Sequence, residues 1–499
     1  MLKPRNTPVP RFLLATLVLS LTACSDCQGE EVAPPLVPET AHEGSGFDPF
    51  GNAQAAVEVE EVPDRPTIVH ESPPTAADFA VSAVEGPWAT FRGASDRSGI
   101  RDVRSIREPK ILWSIQVGVQ GYPNTPIVTS EAIYVGSQGQ RHNQDDEGDG
   151  VYAINPDTGA IIWHVVTTHD AGGMSLHGDM LVVGTDGREI IGIDRNTGIK
   201  QWTVAQDCQI YHAPTIHNGY AYIIRDDDAA YMRINVETGA VEGSMDCHRS
   251  ERGALSVDET RVYRAANRGS SAYDDLGRAW DAEAEADHQP RGRWSPPQIT
   301  ETMIIEAVHR WPFEEANGVS YRPAAVARWQ DNGQVAWVID VNDLDHANSE
   351  PPVRDTPFLR NMPLIIGDRL LWTPNNADTV VAYDLVTGDR EEAASFPDCR
   401  NRQFGSMVGT TDMAYYPRHD GVLYGISPEP LSLEWSLSLG LHGAVGSRTD
   451  THFPVQGSCS SEPDDGSALF STPAIGEDGR VYVGSGDGWL YAIGDENWE

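Results

Sequence analysis

Short apolar runs separated by turn residues recur along most of this chain. Residues 153–163 read AINPDTGAIIW, and residues 192–202 repeat the phrase as GIDRNTGIKQW. In both copies a tryptophan stands four residues after the turn glycine. β-Branched residues favour strands, whereas Asp, Asn and Gly favour tight turns. The pattern therefore predicts a repeated pair of antiparallel strands joined by a tight turn.

The spacing between weaker copies of this turn indicates the length of the repeat. The turn glycines at positions 159, 198, 239, 277, 333 and 388 are separated by 39, 41, 38, 56 and 55 residues. A period near 40 residues built from short strands is the signature of a β-propeller. A second hairpin precedes each phrase, so each unit should hold four strands, A to D. We count about eight units, and therefore predict an all-β fold with a single propeller of eight four-stranded blades.

The two ends of the repeat region predict how the ring closes. The last unit, ending near Ile493, lacks a fourth strand of its own. The apolar strand at residues 111–117 precedes the first full unit and has no partner there. We therefore expect this N-terminal strand to become the outer strand of the last blade, which would protect the exposed edges.

The repeats resemble those of the pyrroloquinoline-quinone (PQQ)-like β-propeller family. The similarity rests on the Ala/Gly-x-Asp/Asn-x-x-Thr-Gly-x-x-x-Trp phrases and on the strands TPAI (472–475) and VYVGSGDG (481–488). It spans about residues 88 to 493 and extends to the propeller lipoprotein of the outer-membrane β-barrel assembly machinery. The recurring tryptophans are interpreted as residues that dock one blade against the next: Trp163, Trp202, Trp337 and Trp435.

The N-terminus predicts a lipoprotein leader. Three basic residues precede the apolar run at 12–19, which is too short to span a bilayer and fits the centre of a secretory signal. The following Leu21-Thr-Ala-Cys24 resembles the bacterial lipobox, which implies cleavage after residue 23 and a lipid on the Cys24 sulfur. Ser25 resembles the outer-membrane sorting pattern. We therefore predict an outer-membrane lipid anchor facing either the periplasm or the exterior; a plain signal peptide is the alternative.

Composition divides the remaining chain. Residues 24–86 are rich in Pro, Glu and Ala and show neither strand nor helix periodicity, which predicts a disordered acidic tether. Residues 87–499 then form the propeller. The whole chain has 74 Asp and Glu against 36 Lys and Arg, a net charge of −38. Such a chain repels phosphate backbones, so nucleic acid is not an expected partner.

The four cysteines outside the leader and tether all fall between the D strand of one unit and the A strand of the next. An even set at matching positions in an exported protein favours disulfides. We predict the pairs Cys208–Cys247 and Cys399–Cys459. Metal binding is the alternative, although this part of the chain has no Cys-x-x-Cys spacing.

The long connections predict where a binding site lies. B–C and D–A connections of a propeller emerge on one face, here called the loop-rich face, and A–B and C–D turns lie on the other, the plain face. Loop insertions in the first and fifth units fall on the loop-rich face, and loops on a rigid scaffold commonly carry function. Calcium is chemically possible in the acidic first insertion, but its spacing is not that of an EF-hand, and no metal is predicted. The candidate residues are His142, Asp145, Asp149, His309, Trp311 and Tyr321.

Three functions are compatible with these features. The first is a non-enzymatic, membrane-anchored scaffold that binds envelope proteins and acts in outer-membrane protein assembly. The second is a surface ligand-binding or adhesion module. The third is a dehydrogenase using PQQ and calcium, but the resembling alcohol dehydrogenases carry an adjacent Cys-Cys pair that this chain lacks. We therefore predict the first function, with no catalytic residue and no cofactor.

Overall fold

The computed structural model describes residues 69–121, 124–140, 145–206, 210, 212–224, 231–242, 254–266, 269–274, 277–283, 295–315, 318–340, 361–373, 379–396, 405–418, 420–439 and 469–496. All of them belong to one compact unit, residues 46–499, and the other unit, residues 1–45, lies outside them. Within these ranges nearly all regular structure is strand, and the helix found there is the four-residue 3-10 turn Ala76–Phe79. None of the described helices has the length and apolar character needed to cross a bilayer.

The strands form eight antiparallel sheets of four strands. The first strand, β1 (Pro109–Gln116), belongs to the last sheet. Blade 1 contains β2 (Ile127–Val128), β3 (Ile133–Gln138), β4 (Asp149–Ile154) and β5 (Ile161–Val166). Blade 2 contains β6 (Ala171–His177), β7 (Met180–Thr185), β8 (Glu189–Asp194) and β9 (Lys200–Ala205). Blade 3 contains β10 (Thr215–His217), β11 (Tyr220–Ile224), β12 (Tyr231–Asn235) and β13 (Val241–Glu242). Blade 4 contains β14 (Ala254–Val257), β15 (Val262–Ala266), β16 (Gly269–Asp274) and β17 (Gly277–Glu283).

The second half of the ring follows the same plan. Blade 5 contains β18 (Gln298–Ile299), β19 (Met303–Glu315), β20 (Gly318–Trp329) and β21 (Val335–Asp340). Blade 6 contains β22 (Leu364–Ile366), β23 (Arg369–Trp372), β24 (Thr379–Asp384) and β25 (Arg390–Ser395). Blade 7 contains β26 (Val408–Gly409), β27 (Ala414–Pro417), β28 (Val422–Pro428) and β29 (Leu431–Ser438). Blade 8 contains β30 (Ala474–Ile475), β31 (Val481–Gly484), β32 (Trp489–Asp495) and β1.

The predicted fold is confirmed: the chain is an eight-bladed β-propeller closed by an N-terminal strand. Strand β1 pairs antiparallel with β32, from Pro109 opposite Asp495 to Gln116 opposite Trp489. The Asp495 carboxylate accepts hydrogen bonds from the backbone N–H groups of Arg107, at 2.6 Å, and Glu108, at 3.2 Å. Pairing with β1 covers the edge of β32, which would otherwise be the free outer edge of blade 8.

The hydrophobic core lies between successive blades. Every residue of β3 and β4 is buried, because each of these inner strands is covered on both faces. Continuous apolar runs are the sequence signal of such strands. Outer strands such as β5 and β9 are half-exposed, and their sequences mix polar and apolar residues accordingly.

A tryptophan on the outer strand joins one blade to the next. Each indole donates Nε1–H to a main-chain carbonyl in the following C–D turn or, for Trp435, in the segment before β1. A Cβ added to the turn glycine would press on the indole, at 2.9 Å for Gly198 under Trp163 and 2.7 Å for Gly239 under Trp202. The bonds run from Trp113 to Pro156 (2.8 Å), Trp163 to Arg195 (3.1 Å), Trp202 to Val236 (2.8 Å), Trp280 to Gln330 (2.7 Å), Trp337 to Leu385 (3.0 Å) and Trp435 to Ile106 (2.9 Å).

Residues 88–101, here called the channel plug, run across the inner strands at the plain face. Two buried arginines anchor the plug. Arg97 donates to Thr215 Oγ1 at 2.6 Å and to the Leu255 carbonyl at 3.1 Å, and Arg92 donates to the Pro363 carbonyl at 2.9 Å. The plug thus touches the inner strands, or residues beside them, of blades 1 to 7. Its main chain bonds Val128 through Trp88, Leu176 through Ala89, Val257 through Ser95, Ile299 through Asp96 and Gly409 through Gly99 and Arg101.

The region assigned to the tether needs a correction in its last part. Residues 69–86 pack on the propeller: the Phe79 side chain is fully buried, with its ring 6.1 Å from that of Trp337. His70 stacks on Trp329 at 3.7 Å, and its Nε2 lies 3.0 Å from the Asp331 carboxylate. The stretch is polar on average, and its composition does not show that a few of its residues, such as Phe79, become buried in the folded protein. The signal peptide at 1–23, Cys24 and residues 24–68 lie outside the described residues.

Candidate functional site

A pocket opens on the loop-rich face between blades 8 and 1. It lies beside the end of β1, the β31–β32 connection and the B–C insertion of blade 1. Its volume is about 220 Å³. No lining residue carries a formal charge, and several are glycines, so much of the wall is main chain. The lining residues are Gln116, Val117, Gly118, Val119, Gly139, Gln140, Gly148, Tyr152 and Gly488.

Glycine is required at Gly139 for two reasons. Its φ is 59°, in the left-handed region that side chains disfavour. A Cβ at this position would also collide with the Oδ1 atoms of both Asp146 and Asp149. The two carboxylates therefore lie beside Gly139, and neither is among the residues that line the pocket.

The two carboxylates differ in their hydrogen bonds. Asp146 accepts from the backbone N–H of Gln140 through Oδ2 and from that of Gly148 through Oδ1, both at 2.7 Å. Asp149 accepts from the backbone N–H of Asp146 through Oδ2 at 2.9 Å. The Oδ1 atom of Asp149 is buried and has no hydrogen-bond partner within the described part of the chain. Buried polar atoms are normally paired, so this atom requires an explanation.

Burial raises the pKa of Asp149 to about 7, and repulsion from Asp170, Asp146 and Asp145 adds to the shift. The backbone hydrogen bond from Asp146 acts in the opposite direction. The carboxyl group is therefore about half-protonated near neutral pH. The Asp149 carboxyl group lies beside Gly139, which lines the pocket. Groups whose pKa is shifted in this way are common at functional sites.

Two histidines border this acidic group. His164 on β5 stacks on Tyr152 with ring centres 3.8 Å apart, and its Nε2 lies 3.2 Å from the Asp149 carbonyl oxygen. Burial lowers the pKa of His164. The Nδ1 atom of His169 lies 2.7 Å from the Asp145 carboxylate on the exposed rim. Among the described residues, the donors to the carboxylates of Asp146 and Asp149 are main-chain N–H groups.

The structure separates the residues that the sequence grouped on one face. Asp145 and Asp149 lie together at the pocket of blade 1, while His309, Trp311 and Tyr321 lie on blade 5, across the ring. Asp146, which lies in the same acidic insertion but is not one of the candidate residues, faces the same glycine as Asp149. His142 lies outside the described residues, as do Cys208, Cys247, Cys399 and Cys459.

The predicted loop insertion of blade 5 is a paired hairpin. Strands β19 and β20 stay in register from Met303 opposite Trp329 to Glu315 opposite Gly318, with one irregularity on the way. The sequence signal was the Asn-Gly dipeptide at 317–318, which is typical of hairpin turns. At the hairpin base the buried carboxylate of Glu306 pairs with Arg328 at 2.7 Å, and Arg328 lies over the ring of Trp311. A two-stranded arm therefore extends blade 5 on the loop-rich face.

The described residues contain no group of three His, Cys, Asp or Glu side chains placed to hold a metal ion. Six of the tryptophans are committed to the seams between blades.

Comparison with known proteins identifies one family and several solved structures with a similar fold. A family model described as outer membrane protein assembly factor BamB matches residues 147–430, more than half of the chain. BamB from Moraxella catarrhalis is 15% identical, with a TM-score of 0.54 over 77% of this chain and 99% of that one. A search among curated proteins finds no sequence match.

Two dehydrogenases share the same fold. The quinohemoprotein alcohol dehydrogenase from Comamonas testosteroni is 13% identical, with a TM-score of 0.56 over 85% of this chain and 84% of that one. A europium-containing methanol dehydrogenase is 12% identical, with a TM-score of 0.54 over 82% and 98%. At these identities the structural matches show the fold alone.

Proposed function

The chain belongs to the family of outer membrane protein assembly factor BamB, and on that basis we propose that it is a non-enzymatic scaffold of the bacterial envelope that binds envelope proteins through its loop-rich face. A part in outer-membrane protein assembly is the specific role that family membership supports. Cys24 is proposed to carry the lipid that holds the scaffold at the outer membrane.

The observation that carries this proposal is the difference between the two faces. At the plain face the channel plug is hydrogen-bonded to main-chain groups of blades 1, 2, 4, 5 and 7, and these groups are therefore already paired. The loop-rich face instead presents the pocket of blades 8 and 1 and the arm of blade 5. Exposed features on a rigid scaffold are where binding function is commonly placed.

The entry point of the chain supports the same orientation. His70 contacts Asp331 in the C–D turn of blade 5, and Asp78 bonds Thr302 in its A–B turn. Both turns belong to the plain face, so a tether formed by residues 24–68 would leave from that face. Its root-mean-square reach would be roughly 37 Å, from about 5.5 Å times the square root of its length. The loop-rich face would then be clear of the anchor.

Charge reversals at matched exposed sites test the proposal. Lipidated full-length chain is cross-linked in cells and captured from solubilised envelopes. Glu147→Lys in the blade 1 insertion and Glu314→Lys in the blade 5 arm alter the loop-rich face, and Glu237→Lys in a C–D turn is the plain-face control. We expect loss of envelope partners with at least one of the first two and retention with the control. Loss only with Glu237→Lys would refute the choice of face, and recovery of an exterior ligand instead of assembly components would favour an adhesion module.

Because dehydrogenases are among the structures of similar fold, a redox enzyme is the second candidate function to test. No two cysteines are adjacent in the sequence, whereas the resembling alcohol dehydrogenases carry such a pair. Reconstitution with PQQ and calcium, followed by dye-linked assays on alcohols and aldose sugars, decides the matter. Turnover with bound cofactor would overturn the scaffold proposal.

A further inference from the structure

We propose that the pocket between blades 8 and 1 is a binding site for one uncharged aromatic side chain of a partner protein. The proposal rests on the scaffold function above and names the chemical group that the scaffold would recognise. The ring would contact the residues that line the pocket, and the wall would need no rearrangement to admit it.

The first support is that most main-chain N–H groups of the pocket wall are already used. Glycine-rich walls bind phosphate or carboxylate groups through free N–H groups. Here seven of the nine lining residues donate this group within the protein, so an anion would find few donors. The bonds run from Val117 and Gly118 to the Gly488 carbonyl, from Val119 to the Gly139 carbonyl, from Gly139 to Ser137 Oγ, from Gln140 and Gly148 to the Asp146 carboxylate, and from Gly488 to the Ser485 carbonyl.

The second support is that the wall offers no carboxylate to a cation. None of the nine lining residues carries a formal charge, and the carboxylates of Asp146 and Asp149 lie beside Gly139 without lining the pocket. A charged ligand that enters such a site loses hydration and gains no ionic partner in return. The expected occupant is therefore a neutral group.

The third support is the shape of the wall, which suits a planar ring. Four of the nine lining residues are glycines. Gly118, Gly139 and Gly488 have φ values of 91°, 59° and 85°, a region that other residues rarely adopt, so this part of the wall stays free of side chains. A ring can then lie directly on the main chain and pack against the ring of Tyr152. His164 already covers one face of Tyr152, with ring centres 3.8 Å apart, so the incoming ring would meet the other face or the edge.

The size and the mouth of the pocket favour a side chain over a free small molecule. The volume of about 220 Å³ lies below the roughly 300–1,000 Å³ of sites that enclose a whole ligand, and it fits one side chain. Val117 and Val119 are buried and add apolar surface to the wall. Gln116 and Gln140 line the pocket but are exposed, and their amides can donate and accept hydrogen bonds. These amides would bond the main chain that carries the ring.

The test is a titration of the full chain in detergent with N-acetyl-phenylalaninamide, followed by saturation-transfer NMR of the probe. Micelles without protein give the blank. N-acetyl-cyclohexylalaninamide, whose ring has the same size but is not planar, is the matched apolar probe, and N-acetyl-argininamide is the cationic probe. We expect the phenyl probe to bind about three- to tenfold more tightly than the cyclohexyl probe, because only the planar ring gains from aromatic and main-chain stacking. The arginine probe should bind more weakly than either.

Two substitutions that occupy the pocket locate the binding. Gln140→Trp changes an exposed lining residue, and Gln201→Trp makes the same change at an exposed position of β9 as the control. Gly488→Asn is the second variant: a Cβ there would lie 3.5–3.7 Å from main-chain atoms of Gly118 and Val119, which is ordinary contact, and Asn tolerates left-handed backbone. We expect Gln140→Trp and Gly488→Asn each to weaken the phenyl probe about tenfold and Gln201→Trp to leave it unchanged.

Three results would each overturn the proposal. The first is binding of the cyclohexyl probe that is as tight as that of the phenyl probe. The second is tighter binding of the arginine probe. The third is binding of the phenyl probe that survives both Gln140→Trp and Gly488→Asn.

The outcomes separate this proposal from the scaffold function. If the phenyl probe fails to bind while envelope partners are still captured, the pocket proposal fails and the scaffold stands. If the phenyl probe binds as expected and no envelope partner is captured, the pocket is an aromatic-ring site and the scaffold function fails.

Discussion

Replacing Gly198 with alanine probes the seam between blades 1 and 2. The φ of Gly198 is 71°, and an added Cβ would lie 2.9 Å from Cδ2 of the Trp163 indole. The left-handed backbone costs an L-residue about 1–2 kcal/mol, and moving a packed ring costs about 1–3 kcal/mol more. We therefore expect Gly198→Ala to lower the free energy of unfolding by about 2–5 kcal/mol.

The matched control is Gly178→Ala in the A–B turn of the same blade. Its φ is 56°, and no atom lies within 4 Å of the added Cβ. This variant should lose only the backbone part, about 1–2 kcal/mol. In a Trp163→Ala background, Gly198→Ala should fall to the same value, because the indole is no longer there to be displaced.

Urea unfolding followed by circular dichroism gives the free energies of these variants, and unchanged m-values show that they are comparable. Equal losses at Gly178 and Gly198 in the parent protein would refute the role of the indole contact. So would a loss at Gly198 that persists in full once Trp163 is removed.

Three further predictions concern other parts of the chain. Cys24→Ala should move the protein from the membrane to the soluble fraction, and continued membrane partition of that variant, with no lipid label on the parent, would contradict the anchor. Non-reducing peptide mapping should recover Cys208–Cys247 and Cys399–Cys459; free thiols or other pairs would contradict the assignment. Because the pKa of Asp149 is raised to about 7 in the folded state, from an ordinary value near 3.8, folding holds this proton, and stability should fall as the pH rises from about 4 to 7. Asp149→Asn should flatten that part of the stability curve, and identical curves for the two proteins would show that Asp149 does not contribute.

The propeller could be predicted because its repeats carry a local signal. The Thr-Gly turns at Gly159 and Gly198 and the tryptophans that follow them recur in every strong copy, and each can be recognised within about ten residues. Blade closure by β1 also followed from the sequence, since the first strand had no partner nearby and the last unit lacked a fourth strand.

The channel plug and the pocket could not be predicted in this way. Arg92 and Arg97 bond residues of several different blades, and such contacts leave no period in the sequence. Asp146 and Asp149 are close in sequence, but their meeting at Gly139 depends on how the insertion folds back on itself. Residues 69–86 look like a tether by composition, and only tertiary contacts of residues such as Phe79 distinguish them from one.

The pairing of β1 with β32 also determines when the protein can finish folding. Gln116 and Trp489 face each other across the sheet, although more than 370 residues separate them in the chain. Closing a loop of that length costs on the order of 5 kcal/mol of chain entropy, and such distant pairings form slowly. A chain that emerges N-terminus first would therefore hold β1 without its partner until β32 arrives. The ring is therefore complete only after β32 has been made and has paired with β1.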